Sequence, residues 1–282
     1  MVENRPFLNF LAHLVLIIGV TIVVFPVYVA FIASSHGPND FLSGVVPLTP
    51  GSHIIENYST MLSSGMTSSG APPIGPMMIN SLIMAVGVAV GKIAISILSA
   101  FAIVYFRFPF RTLAFWMIFI TLMLPVEVRI VPTYKVVADL GMLNNYGGLI
   151  IPLIASATAT FLFRQFFLTV PDELMEAARV DGAGPMKFFR DILLPLSITN
   201  IAALFIILFV LGWNQYLWPL IITTDQSFYT VVMGIQRMAA VADAEPRWNL
   251  VMAAVILAAL PPVLVIVAMQ RLFVKGLVET EK

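Results

Sequence analysis

The chain has 282 residues, of which 60 % are hydrophobic and 11 % are charged, and its 15 basic residues balance 15 acidic ones. Soluble domains carry about 25 % charged residues, so this composition excludes a water-soluble surface and indicates a polytopic membrane protein. The zero net charge speaks against nucleic acid as a partner, and the lack of cysteine excludes thiolate metal sites. Because the three histidines lie far apart in the sequence, we expect neither a metal nor a cofactor.

The first predicted transmembrane helix covers Phe10–Ala33, inside a stretch that has no Asp, Glu, Lys or Arg from Pro6 to Asn39. At about 1.5 Å per residue this helix is roughly 36 Å long, enough to cross a bilayer with some tilt. A cleavable signal peptide is the alternative, since Ala33 and the two serines after it resemble a cleavage site. The apolar core of a signal peptide is shorter, about 7–15 residues.

Five further apolar stretches follow, each close to the roughly 20 residues that a spanning helix needs. They are Ile79–Val104, Leu113–Pro132, Gly147–Leu168, Asn200–Ile222 and Leu250–Phe273. The third of the six spans, Leu113–Pro132, is the least regular, because Pro125 and Pro132 interrupt its second half. The sequence therefore predicts an all-α membrane protein with six transmembrane helices. Its segments are an N-terminus over 1–9, the first helix over 10–33, a loop over 34–78, a five-helix core over 79–273 and a tail over 274–282.

The basic residues predict how the chain is oriented in the membrane. With residues 1–9 inside, ten lysines and arginines fall in inner segments, four fall in outer segments, and Lys92 lies within a span. Inner loops of membrane proteins carry an excess of basic residues. Both termini are therefore predicted to be cytoplasmic, and the loop over 34–78, which has no Lys or Arg, is predicted to lie outside.

Residues 169–195, between the fourth and fifth spans, form the most polar inner loop. Pro171 suits the first turn of a helix, and the two acidic residues after it favour the positive end of the helix dipole. Gly182 is a natural stop, because glycine adopts the left-handed conformation found at helix ends. Pro185 begins and Pro195 ends a second short helix. This helix, turn and helix can insert into a groove of a soluble partner; an ordinary amphipathic surface loop is the alternative.

The spacing in this loop resembles the EAA loop of ABC-importer permeases. That signature is E-A-A-x3-G-x9-I-x-L-P, and every defined position matches: Glu176, Ala177, Ala178, Gly182, Ile192, Leu194 and Pro195. Residues 212–219 (GWNQYLWP) and 270–276 (QRLFVKG) are similar to the maltose-permease-like branch of the family. Residues 115–130 and 155–167 resemble, more closely, the permeases of importers for sn-glycerol-3-phosphate. The resemblance covers essentially the whole chain.

The resemblance implies a type I ABC importer permease fold in the bacterial inner membrane and a non-catalytic role. The chain would form half of a heterodimeric pore with a second permease subunit, above two copies of an ATPase and below a periplasmic solute-binding protein. The EAA loop, 169–195, would seat in a cleft of one ATPase subunit, and ATP would drive alternating access. The implied substrate is sn-glycerol-3-phosphate, with glycerophosphodiesters as candidate further substrates.

The chain itself is not expected to hydrolyse ATP. Its nearest approach to a phosphate-binding loop, Gly87–Ile93, has three residues between the glycines and an isoleucine after Lys92. A Walker A motif needs four residues there and Ser or Thr after the lysine. The pair of Gly87 and Gly91 is instead typical of a close contact between helices.

Five polar residues are candidates for the substrate path: Lys92, Glu127, Arg129, Asn214 and Gln215. A charge inside a span is costly unless it is paired or hydrated, so Lys92 meets the substrate phosphate, an acid or the partner subunit. Arg129 suits bidentate phosphate binding, with a salt bridge or an interface anchor as the alternative for it and Glu127. The amides of Asn214 and Gln215 are expected either to hydrogen-bond substrate hydroxyls or to cap helix contacts.

Three further residues have structural interpretations. Arg164, at the inner end of the fourth span, is expected to anchor to lipid headgroups or to the 169–195 loop. Trp213 and Trp218 are expected to pack in the protein or at the membrane interface.

Two other functions stay open. An importer for another sugar or polyol would keep the EAA loop and change the polar residues of the pore. A secondary transporter would not need the EAA spacing. It would need acidic residues within its spans for proton or sodium coupling, and Glu127 is the one acidic residue near such a position. An assembly subunit without a pore is a third, less specific alternative.

Overall fold

A computed structural model describes residues 6–41, 44, 46–121, 126–240 and 247–279, with side chains left out at 6, 126–127 and 271–279. The described chain is mostly helical and has no strand longer than the single bridge between Met66 and Ala71. The α-helices are α1 Pro6–Ala33, α2 Ile54–Ser63, α3 Ile74–Tyr105, α4 Arg111–Ile120, α5 Val126–Asp139, α6 Tyr146–Ile150, α7 Ala157–Phe167 and α8 Asp172–Val180. They continue with α9 Pro185–Phe188, α10 Leu194–Leu196, α11 Ile198–Trp213, α12 Leu217–Ile222, α13 Val231–Ala239 and α14 Trp248–Glu279.

Three of the described helices are long and apolar enough to cross a membrane alone: Phe7–Ala33, Ile74–Tyr105 and Trp248–Gln270. Two bent pairs add a fourth and fifth candidate, Tyr146–Leu153 with Ala157–Phe167 and Pro185–Leu196 with Ile198–Trp213. The predicted third span is divided between α4 and α5, and residues 122–125 lie outside the described chain. The count of six spans therefore stays a prediction. The last helix runs on to Glu279, beyond the predicted end at Phe273.

The two bends have local causes. The first pair bends by 49° before α7, where the Ser156 hydroxyl caps the helix by accepting the Ala159 N–H at 3.3 Å. The second pair bends by 69° at Ser197, two residues after Pro195. Proline removes a helical hydrogen bond and crowds the preceding turn, so a kink is expected here. Helix α10 continues one residue past Pro195, to Leu196, slightly beyond the predicted end.

The chain divides into two units, of which the larger covers residues 77–233 and 261–282. Within it, the segment from α6 to α7 packs along α3. Four pairs join the two segments in the same order: Gly87 with Ile150, Gly91 with Ile154, Ser96 with Ser156, and Tyr105 with Phe167. Because residue numbers rise together along both, the two segments run parallel. The prediction that Gly87 and Gly91 make a close helix contact is confirmed.

Helix α11 runs the opposite way along α3. Gly212, near its end, lies so close to Ala85 that a Cβ atom there would be 2.9 Å from the Ala85 Cα. An apolar cluster joins α3, α5, α6 and α12 in this unit, formed by Met84, Val88, Val137, Leu149, Trp218 and Ile222. The indole N–H of Trp218 donates to the Gly148 carbonyl at 3.1 Å. Trp213 and Trp218 are both buried, as the packing interpretation predicted.

The smaller unit covers residues 1–76 and 234–260. Most large apolar side chains of α1 are exposed, and only its last residues, Ile32 and Ala33, are fully buried. The loop after α1 is held by Asn57, whose amide donates to the carbonyls of Ser34 and His36 at 2.8 Å each. The amide of Asn249, at the start of α14, donates to Asn57 at 2.7 Å. Buried amides thus fix this loop.

Candidate coupling loop and substrate path

Residues 169–195 form the predicted helix, turn and helix. Helix α8 begins after Pro171 and has two acidic residues in its first turn. It ends in a Schellman motif around Gly182, whose φ is +71°. The Ala183 N–H donates to the Ala178 carbonyl at 2.8 Å, and the Gly182 N–H donates to the Arg179 carbonyl at 3.0 Å. The left-handed turn that the glycine predicts is therefore present.

The residues of the signature divide into an exposed and a buried set. Glu176, Ala177, Gly182 and Pro195 are exposed; Ala178 is buried, and Ile192 and Leu194 are half-buried. Helix α9 passes into a π-helical segment over Phe189–Leu193 and then into α10, so the second half of the loop is one continuous helical piece. Three of the exposed residues, Glu176, Ala177 and Gly182, lie on α8 and its turn, where a soluble partner has access, while Pro195 lies in α10.

Aromatic rings fix the loop to the end of α3. The ring of Phe188 lies 5.3 Å from that of Tyr105, and the ring of Phe189 lies 4.9 Å from that of Phe101. The Tyr105 hydroxyl also donates to the Phe167 carbonyl at 3.3 Å. Such ring pairs add about 0.5–1.5 kcal/mol each beyond their buried area. The second half of the loop is therefore packed directly against the end of α3.

Sequence reasoning missed the apolar side chains on the exposed side of the loop. Val180 is 88 % exposed, Met186 is 65 % exposed, and Leu174 is 37 % exposed. Leu174, Ala177 and Val180 follow one another at a spacing of three, so they share one side of α8. The signal was present in the sequence as apolar residues at helical spacing within the most polar loop.

Lys92 and Arg129 lie beside the apolar cluster of the larger unit. Lys92 is half-buried on α3, one helical turn after Val88, and Arg129 is exposed on α5, next to Ile130, which packs on the same cluster. The two charges are within electrostatic range of each other. Among the side chains that the structure describes, no carboxylate forms an ion pair with either. The structure thus brings together two cations that were predicted separately.

In the described part of the chain, neither Asn214 nor Gln215 forms a hydrogen bond with Lys92 or Arg129. Glu127 lies in the first turn of α5, and its side chain is outside the described part of the chain. Asn214 is exposed at the C-terminal cap of α11. The amide of Gln215 donates to the Leu211 carbonyl at 3.3 Å, which satisfies the end of the same helix. The geometry favours the helix-capping interpretation for Gln215.

At the opposite end of α3, buried polar side chains hold the loop between α12 and α13. The Asn80 amide donates to the carbonyls of Ser227 and Tyr229 at 2.7 and 3.0 Å, and accepts the Tyr146 hydroxyl at 2.7 Å. The Ser81 hydroxyl accepts the Val231 N–H at 2.8 Å. In the described residues, no group of three or more His, Asp or Glu side chains is placed to hold a metal.

These features define a bundle of apolar helices with a partly exposed helical loop at one end and two cations, Lys92 and Arg129, beside its apolar cluster. Residues 92–279 match the family described as "Binding-protein-dependent transport system inner membrane component", and the chain belongs to that family. A crystal structure of a bacterial ABC transporter involved in the import of the acidic polysaccharide alginate contains a chain with the same fold. Its TM-score is 0.80 at 18 % identity, over 96 % of this chain and 98 % of that one.

Similar proteins include three bacterial permeases that match over all 282 residues, covering 100 % of both chains. Each is named sn-glycerol-3-phosphate transport system permease protein UgpE. Two of them, from Rhizobium meliloti (strain 1021) and Agrobacterium fabrum (strain C58), are 59 % identical to this chain. The third, from Salmonella typhi, is 57 % identical. The predicted resemblance to ABC-importer permeases is therefore confirmed.

Proposed function

We propose that this chain is a permease subunit of an ATP-binding-cassette importer and forms half of the translocation pathway for sn-glycerol-3-phosphate. Identity of 57–59 % along the entire chain to permeases named for that substrate is the observation that carries the proposal. Glycerophosphodiesters, which share the phosphate and glycerol groups, are candidate further substrates. The same role for a neutral sugar or polyol is the alternative.

The proposed substrate path includes Lys92 and Arg129. An anionic phosphate crossing an apolar bundle needs compensating charge, and guanidinium and ammonium groups bind phosphate oxygens by charge-assisted hydrogen bonds. A structural pair with the second permease subunit is the competing role for each residue.

The loop over 169–195 is proposed to couple this path to ATP hydrolysis on separate ATPase subunits. Its exposed side, with Ala177 between Leu174 and Val180, has the small and apolar side chains that fit a groove. The ring contacts of Phe188 and Phe189 with α3 support a mechanical link to the helix that carries Lys92. Closure of the ATPase dimer then biases the pore between inward-open and outward-open states.

The proposed assembly contains a second permease subunit, two copies of the ATPase and a periplasmic solute-binding protein in the bacterial inner membrane. Six spans are proposed, with both termini in the cytoplasm. Parallel α3 and α6–α7 need an odd number of crossings between them, which supports a third span through α4 and α5. The antiparallel α11 agrees with a fifth span in the opposite direction.

The function is tested by uptake of labelled sn-glycerol-3-phosphate into vesicles that contain the full complex, with ATP inside. We expect uptake that unlabelled glycerophosphodiesters reduce and maltose leaves unchanged. Strong competition by maltose with no uptake of sn-glycerol-3-phosphate would contradict the substrate and favour the sugar importer. The same complex without this chain is the control, and it should neither transport nor show ATPase activity that responds to substrate.

A further inference from the structure

A small pocket lies where the ends of α3, α4 and α7 meet, at the end of the bundle that carries the 169–195 loop. Its volume is about 110 Å³, and its polar lining consists of Arg111, Thr112 and Arg164. Phe115 and Leu168 are among its apolar walls, and no acidic side chain lines it. The pocket therefore concentrates positive charge without a carboxylate to balance it.

Arg164 is fixed in the pocket but incompletely satisfied. Its guanidinium carbon lies 4.2 Å from the centroid of the Phe115 ring, a cation–π contact that sets the plane of the group. Its Nε atom is buried and has no hydrogen-bond partner among the described residues. A buried donor without a partner is costly, and native proteins rarely leave one unmatched. An acceptor from outside the chain would satisfy it.

The start of α4 adds further donors to the same pocket. Phe110 precedes the helix with a φ of +62°, and no side chain caps the helix. The first backbone bond of the helix runs from the Ala114 N–H to the Phe110 carbonyl, so the N–H groups of the first turn stay open. A helix N-terminus favours an anion through these groups and its dipole. Arg111 and Thr112 stand on this turn.

We propose that this pocket binds a phosphate group. Two guanidinium groups, a hydroxyl and a free helix N-terminus are the donors that a tetrahedral oxyanion needs, and the volume suits one such group. The source is either the headgroup of an anionic phospholipid or free phosphate. Leu113, Trp116 and Met117, which extend along α4 from the pocket, are exposed and apolar, and they favour a lipid whose acyl chains lie along that helix.

The site is tested on the full chain, purified in detergent with the subunits of its complex. Binding of dihexanoyl phosphatidylglycerol and of inorganic phosphate is measured by calorimetry in separate titrations at constant ionic strength. We expect at least one ligand to bind, and its Kd to rise about tenfold or more in Arg111→Gln and Arg164→Gln, the usual loss for a charge-assisted hydrogen bond. Binding of the lipid alone, or of phosphate alone, identifies the source.

The control is Arg107→Gln, an exposed arginine four positions before Arg111 that does not line this pocket. Its Kd should match that of the unaltered complex. Arg111 is also exposed, so its variant keeps the fold and decides the result even where Arg164→Gln fails to assemble. Equal binding by all variants overturns the site. Binding that Lys92→Ala removes and Arg111→Gln retains also overturns it, since the ligand then occupies the transport path.

Discussion

At the scale of single residues, cations in this chain have very different surroundings. Lys92 and Arg129 lie near each other with no acid paired to them in the described chain, whereas Arg164 rests on the face of Phe115. Arg190, in the loop, has a carboxylate partner in Asp191 at 3.0 Å. An exposed pair such as the last adds little stability. The proposed role of the first two in binding a mobile anion can be tested by substitution.

Replacing Lys92 or Arg129 by alanine should lower uptake of sn-glycerol-3-phosphate by about tenfold or more while the complex still assembles, because each loses a charge-assisted contact to phosphate. Uptake in vesicles and co-purification of the ATPase subunits are the two measurements. Lys135→Ala is the matched control, since Lys135 is an exposed cation on the same helix as Arg129. Normal uptake by both variants would remove these residues from the substrate path.

The carboxylate of Asp40 makes the stability of the loop after α1 depend on pH. Its Oδ2 accepts the Gly37 N–H at 2.9 Å and lies 3.1 Å from His36 Nδ1. The Gly37 bond first, and then His36, hold the pKa of Asp40 below its usual 3.8. A carboxylate with a lowered folded-state pKa stabilises the fold above its unfolded pKa, and this contribution disappears as pH falls through the folded value.

Hydrogen exchange of the loop after α1, corrected for intrinsic rates, should therefore show weaker protection at about pH 3 than at about pH 6. Asp40→Asn should remove that part of the pH dependence. Asp225 is an internal control, since the Ser227 N–H lowers its pKa in the same way, and its loop should respond to pH in both proteins. An unchanged profile in Asp40→Asn would show that another group titrates.

At the scale of elements, the 169–195 loop combines a rigid base with an accessible tip. Phe188, Phe189 and Leu193 are buried against the bundle, while Val180 and Met186 are exposed. The turn at Gly182 sets the angle between the two halves. If the tip docks on the ATPase, this angle decides whether the exposed side of α8 meets its groove.

Substituting Gly182 by alanine should destabilise this turn by about 1 kcal/mol, because an L-residue with a side chain is strained at positive φ. A Cβ atom there meets nothing within 4 Å, so the cost is one of conformation alone. Gly184→Ala is the matched control, since Gly184 is equally open but has a φ of −74°. The amount of ATPase that co-purifies with the complex should fall for Gly182→Ala and not for Gly184→Ala. Equal amounts with both variants would show that the turn at Gly182 has no role in coupling.

At the scale of the whole molecule, the directions of the helices determine which loops lie on the same side of the membrane. The parallel course of α3 and α6–α7, with α11 antiparallel to α3, places the 169–195 loop and the Asn80 network at opposite ends of α3. With the loop in the cytoplasm, Asn80 and the loop between α12 and α13 face outward. The basic residues of the inner segments give the same orientation.

The natural lack of cysteine makes this orientation directly testable, because each introduced cysteine is the only thiol in the chain. Ser64→Cys, exposed after α2, should react with a membrane-impermeant maleimide added to intact spheroplasts. Gly184→Cys, exposed in the 169–195 loop, should react only after lysis. Both variants should transport normally. The reverse pattern of labelling would invert the proposed topology.

The sequence predicted features that depend on local chemistry. The left-handed turn at Gly182 and the close contact at Gly91 were both predictable, because only glycine suits a positive φ or so close an approach. The proximity of Lys92 to Arg129 and the pocket at Arg164 were not predictable from the sequence. Each joins side chains from separate helices, and their approach depends on the angles at which those helices pack. Hydrophobic periodicity does not encode those angles.

The unequal lengths of the helices have a consequence for biosynthesis. Helices α4 and α7 have 10 and 11 residues, so each is about 15–17 Å long, half of a bilayer core of about 30 Å. Neither helix is long enough to span the bilayer by itself. Helix α3, with 32 residues, is long enough to insert as soon as it leaves the ribosome. The shorter helices α4 and α7, which are translated later, then pack against the α3 helix that is already inserted. Errors in α3 are therefore expected to appear as failed membrane insertion of the segments translated after it.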